Sequence, residues 1–276
     1  MLDFLVFGLL AAVGWGTGDF LTARSARKTN VHNAWVWTYA LAALLWVAFG
    51  LAQSAFQPLS FVELVLALAA GLGLSAGDIL FISAARSGKI AVASPLFSLS
   101  AVVAMALGVA ILGERPGLLQ LGLAALALCG GVLIGVKDLK LRSLEDAAPI
   151  LLPGIVFHGI GLTFFKVLVD HLGAWSAAAW FQALMLAYLI PFAWINRKQV
   201  RGPLVENGAA ALAYFVGLFG FATALSVGVI SLAAPVANLF PLVAVGLAVL
   251  VYGEKLQRHQ WAGLLLAILA LVGLAL

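Results

Sequence analysis

Four ionisable side chains stand inside stretches that are otherwise apolar: Asp19, Asp78, His158 and Lys166. A charged residue at the centre of a membrane helix costs roughly 2.5–3.5 kcal/mol on insertion scales, so each needs a compensating role. Asp78 lies eight residues before Arg86, and Asp19 five before Arg24. Either carboxylate can hold a substrate amine, or carry a coupling proton as access alternates. Either can instead bridge to Arg24, Arg86 or Lys89 and tie helix ends together. His158, in "FHGIG", has a side chain that titrates around neutral pH; a neutral imidazole bonded to a backbone carbonyl is the alternative. Lys166 and Asp170 are spaced i, i+4 near a span end where a Lys can snorkel, which favours a structural pair over an anion site.

Polar groups beside prolines form a second set. Ser98 and Asn238 follow Pro95 and Pro235 by three residues each. Proline removes one helical hydrogen bond and bends the helix, so the freed carbonyls beside Ser or Asn make a polar patch at mid-membrane. Plain interhelical hydrogen bonding is the competing reading. Pro241 adds a second bend after Asn238. Trp15, Trp180, Tyr214 and Phe240 are candidates for aromatic cavity walls. Trp35, Trp37, Trp194 and Trp261 lie near span ends and suit an interfacial belt.

Only membrane helices can position these groups. Of 276 residues, 64% are hydrophobic and 9% charged, too few charges to cover a soluble surface. Runs of about 20 apolar residues cross the hydrocarbon layer, and ten are predicted: 2–22, 34–53, 61–84, 91–111, 117–136, 149–170, 174–195, 207–227, 231–251 and 258–276. Residues 4–13 resemble a signal-peptide core, but Asp3 replaces the usual basic start, so the segment reads as a retained first span. The single cysteine, Cys129, excludes an internal disulfide.

Thirteen of the fifteen Lys and Arg residues fall in or beside the loops that follow spans 1, 3, 5, 7 and 9. Arg115 alone marks the alternate loops, and Lys166 lies within span 6. This bias places the odd loops in the cytoplasm and both termini outside, in a multi-pass protein of the bacterial inner membrane. The basic residues form no single patch, which excludes a nucleic-acid partner.

The chain repeats itself. A shift of 140 positions lays Phe81 on Phe221, Gly88 on Gly228, Pro95 on Pro235, Leu99 on Leu239, Gly113-Glu114 on Gly253-Glu254 and Gln120 on Gln260, without a gap. Five spans per half is an odd number, so the halves cross the membrane in opposite senses. The result is an all-α integral membrane protein of ten transmembrane helices in two inverted five-helix repeats. The repeats are residues 1–136 and 149–276, joined by a cytoplasmic linker at 137–148. Such repeats are typical of secondary transporters, with the substrate site near the midplane between them. Glu114 and Glu254 suit the N-terminal amides of spans 5 and 10. Gly131 and Gly135, at GxxxG spacing, suit close packing of span 5 on span 10.

With Pro95, Gly113-Glu114-Arg115 and Gln120 in one half, and Pro235, Gly253-Glu254-Lys255 and Gln260 in the other, the chain resembles the EamA-type drug/metabolite transporters. "GWGTGDF" at residues 14–20 looks like the Trp-Gly opening of that family's first helix, and Lys166 like the Lys common late in its sixth. The resemblance implies a central cavity lined by spans 1, 3, 4, 6, 8 and 9, with spans 5 and 10 peripheral. It also implies export of amino acids, other metabolites or drugs without ATP or a bound cofactor, and cytoplasmic termini where the charges place them outside.

The function expected is a secondary transporter, an exporter of small organic metabolites such as neutral amino acids, purines or drugs, working by alternating access. A proton-coupled importer of the same solutes, a channel or a lipid scramblase are the alternatives. Its partners are a small-molecule substrate, the bilayer and possible coupling protons, in a monomer or homodimer. The chain has no GxxxxGK[ST] for ATP, no HExxH or paired Cys/His for a metal, and no nucleophile–base constellation, so no enzyme, cofactor or metal site is expected.

Overall fold

The computed structural model describes residues 3–84, 95–136, 148–253 and 255–276, which are helical with no strand among them. In chain order the helices are α1 (Asp3–Lys28), α2 (Val31–Ala52), α3 (Phe61–Ala84), α4 (Ser100–Ala110), α5 (Leu118–Gly135), α6 (Ala148–Leu172), α7 (Ala174–Ile195), α8 (Val205–Val227), α9 (Ile230–Ala237), α10 (Phe240–Tyr252) and α11 (Arg258–Ala275). Among the described residues nine stretches are long and apolar enough to cross a membrane, with α9 and α10 together forming one of them. The fourth predicted span appears as the shorter apolar helix Pro95–Ala110. Its first residues, 91–94, lie outside the described residues, as do Arg86, Lys89, the linker at 137–147 and Glu254.

Local chemistry sets the ends. α1 runs six residues beyond its predicted end, to Lys28, because its basic last turn remains helical. α2 then starts three residues early, its first turn capped by the Asn30 side chain accepting from Asn33 N. Ser60 and Glu63 form a reciprocal capping box that starts α3.

The fourth span of each repeat is broken at the same place. Leu99 N donates to Leu96 O and Leu239 N to Val236 O, both one residue tighter than an α-helix. Ser98 Oγ donates to Pro95 O at 2.6 Å, and Asn238 Nδ2 to Ala234 O at 3.0 Å. The polar residue after each proline thus takes up a carbonyl at the bend. Downstream, Gly113 (φ +70°), in the turn after α4, and Gly253 (φ +65°), the C-cap of α10, take the left-handed conformation that Gly adopts without strain. That conformation explains the glycine of the duplicated Gly-Glu-basic turn.

The glutamate of that turn has a different partner from the one predicted. Glu114 does not cap α5, whose start is closed by Gln120 Oε1 accepting from Gly117 N at 2.9 Å. The Glu114 carboxylate instead crosses to the other half and accepts from Ile230 N at 2.7 Å and Ser231 N at 2.9 Å, the first amides of α9. Glu114→Ala removes a charged acceptor from two amides and is expected to destabilise the fold by about 2 kcal/mol. The check is the unfolding midpoint in detergent; an unchanged midpoint removes this contact from the account.

Helices pair across the halves: α1 with α8, α3 with α6, α5 with α11 and α2 with α7. Small residues let backbones meet. A Cβ at Gly73 would stand 2.8 Å from Gly161 Cα, and one at Gly220 2.7 Å from Ala11 N. α5 does lie on α11, but through Gly130 and Gly263, each within 2.7 Å of the other's carbonyl oxygen once a Cβ is added. Gly131 faces Leu239 and Gly135 faces Pro95, so the predicted GxxxG pair is not the seam itself. At the end where α1 finishes, Asn207 accepts from Ser25 Oγ at 3.1 Å and donates to Ala34 O and Thr38 Oγ1, tying α1, α2 and α8.

Candidate functional site

A cavity of about 400 Å³ lies between the two halves. Its mouth is bordered by Arg27, Val31, Lys255 and Gln257, on the face that carries the basic loops. Its far end is walled by Phe165, Phe181 and Phe221. There the Phe165 ring lies 5.3 Å from that of Phe181 and 6.2 Å from that of Phe221. Among the described residues none of those bordering the cavity comes from the loops of the opposite face. The cavity is therefore open on one side only.

Both predicted carboxylates border it. Asp19 is carried on α1 about 13 Å from that helix's C-terminal end, and Tyr214 Oη, from α8, donates to its Oδ1. Asp78, on α3, is 8% exposed and is within hydrogen-bonding reach of Tyr39 from α2. His158 Nε2 stands 3.9 Å from Asp78 Oδ1, while its Nδ1 is 3.1 Å from Ser100 Oγ. Tyr39 and Tyr214 rings meet at 5.1 Å, so the two acid–phenol pairs touch. Carboxyl groups buried at this depth need such donors.

Arg24 turns to Glu206 at 3.6 Å, and Lys28 also pairs with Glu206. Arg86 and Lys89 lie outside the described residues.

Other predicted residues divide. Trp15, Asn238 and Phe240 border the cavity with the aspartates, His158 and Tyr214. Trp15 lies against Gly217 as His158 lies against Gly77, the equivalent glycine of the other repeat. Ser98 is fully buried and does not border the cavity; its hydroxyl is held at the span 4 bend. Lys166 Nζ is held by Asp170 Oδ1 at 2.6 Å and Leu225 O at 3.0 Å, beyond the cavity's closed end. Trp180 packs on Phe56 and donates to Gln57 O, away from the cavity. Trp35 is not a belt residue: it is 5% exposed and borders the cavity, whereas Trp194 and Trp261 are 69% and 59% exposed.

The resemblance places the walls on spans 1, 3, 4, 6, 8 and 9, but α2 and α7 contribute as well. Tyr39 and Trp35 come from α2, and Gln182 from α7. The signal for Tyr39 and Gln182 was their polarity in the middle of an apolar span. α5 and α11 are peripheral and reach the cavity only through Gly135 and Gln260.

The model of the EamA-like transporter family matches this chain twice, over residues 4–136 and 148–276. A search of curated proteins finds no match. Among solved structures, one crystal structure superimposes with a TM-score of 0.76 at 14% sequence identity, covering 98% of this chain and 96% of that one. At that identity the likeness speaks for the fold.

Proposed function

Because the chain belongs to the EamA-like transporter family and is a multi-pass membrane transporter, we propose that it exports small organic metabolites by alternating access of two inverted repeats. The repeats are bounded at 1–136 and 149–276. The observation that carries this reading is the one-sided cavity between the halves, which has room for a metabolite and no opening at its far end. A closed end favours a carrier over a channel or scramblase. Asp78 is the coupling carboxylate in this reading, supported by its burial and by His158 and Tyr39 beside it. In this reading the cavity mouth faces the cytoplasm of a bacterial inner membrane, the loading side for an exporter, and the basic loops around it support that orientation.

Counterflow in proteoliposomes tests it. Vesicles preloaded with a pool of neutral amino acids, purines and aromatic amines are expected to take up labelled solute of one class saturably. Flux that runs downhill without saturation or exchange points to a channel and removes the carrier reading.

A further inference from the structure

Resting on the transporter reading, we propose that the cavity selects an organic amine cation with an apolar or aromatic body over zwitterions and neutral nucleobases. Below the mouth, the described lining holds two carboxylates, Asp19 and Asp78, and neither Lys nor Arg. Arg27 and Lys255 stay at the rim, where Arg27 stacks 5.3 Å over the Tyr252 ring. Lys166, the nearby cation of α6, is consumed by Asp170 and Leu225 O outside the cavity. A substrate carboxylate would therefore meet two carboxyl groups and the imidazole of His158, with no Lys or Arg to pair it. An ammonium meets two carboxyl acceptors among the rings of Trp15, Tyr39 and Tyr214, and aromatic rings attract cations.

A second observation lies outside the acid pair. Gln182 lines the same cavity from α7, is 6% exposed, and its Oε1 has no hydrogen-bond partner among the described residues. A buried acceptor without a donor is unfavourable, and a ligand donor removes that penalty. Trp35 Nε1 is likewise buried without a partner among the described residues and can donate to an oxygen of the same ligand. The cavity thus offers carboxyl acceptors for an ammonium and, at Gln182 and Trp35, an acceptor and a donor for a hydroxyl.

Equilibrium binding of labelled tyramine to the purified, detergent-solubilised protein tests this, with tyrosine, phenethylamine and adenine as competitors. Tyrosine keeps the body of tyramine and adds a carboxylate; phenethylamine keeps the amine and lacks the hydroxyl. Tyramine is expected to bind saturably, with tyrosine and adenine weaker by about tenfold or more. Asp19→Asn should weaken tyramine about tenfold, and Asp19→Glu should restore part of it, which a folding defect would not do. Gln182→Leu should erase the preference for tyramine over phenethylamine. Tyrosine or adenine binding as well as tyramine would overturn the cation assignment and leave the transporter reading intact. Absence of tyramine binding also overturns it, and counterflow with the mixed pool then decides the transporter reading separately.

Discussion

Asp78→Asn is expected to lower solute accumulation driven by a pH gradient at least tenfold while saturable counterflow in the same vesicles persists, though weakened. Asn preserves the shape of the side chain and can still bond Tyr39, but it has no group that takes up and releases a proton as pH changes. The carboxylate is 8% exposed, with His158 Nε2 3.9 Å away and Tyr39 at hydrogen-bonding reach. Asp19, paired with Tyr214, is the other acid on the wall and remains able to bind substrate. Loss of a coupling group separates the driving force from the exchange step, because exchange needs only a binding site that alternates. Accumulation that survives unchanged in Asp78→Asn would move the coupling elsewhere in the protein.

Gly14→Leu is expected to be the more damaging change to stability, by about 3 kcal/mol. A Cβ at Gly14 runs into the backbone of Gly217 and Ala213 on α8, and backbone cannot swing aside as a side chain can. α1 and α8 would have to separate along the seam that also places Asp19 beside Tyr214. Gly122→Leu and Gly246→Leu are the controls, since a Cβ at either meets nothing within 4 Å. Unfolding midpoints in detergent should fall sharply for Gly14→Leu and stay near wild type for both controls. Equal midpoints for all three would mean that the close approach of α1 and α8 contributes little.

The spans were legible because a bilayer admits only backbone that satisfies its own hydrogen bonds, so long apolar runs can be read directly as helices. The repeat was legible because Pro, Gly, Glu and Gln recur in register, which apolar composition alone does not produce. Asp19, Asp78 and His158 stood out by the expense of placing them in hydrocarbon, and the fold brings all three to one cavity. What escaped notice has a common cause. α2 carries apolar residues all round, so its pattern does not say that Trp35 turns inward while Leu44 is exposed, and Tyr39 is marked only by its hydroxyl. Gln182, in an equally apolar α7, is marked only by its amide. The Glu114 partner was misread because sequence proximity suggested α5, yet Gln120 already occupies the start of that helix. The carboxylate was free to reach across 116 positions to Ile230.

The pairing of α1 with α8 and of α3 with α6 also bears on how the chain is made. Ser25 finds its partner Asn207 at a separation of 182 residues, and Asp19 finds Tyr214 at 195. At about 5–20 residues per second, α1 waits roughly ten to forty seconds in the bilayer before the helix that covers its glycines is synthesised. During that interval Asp19 lacks Tyr214, and Glu114, once made, lacks the α9 amides. The nascent first half is a set of helices with unfilled seams, and its maturation ends only when the second half arrives from the ribosome.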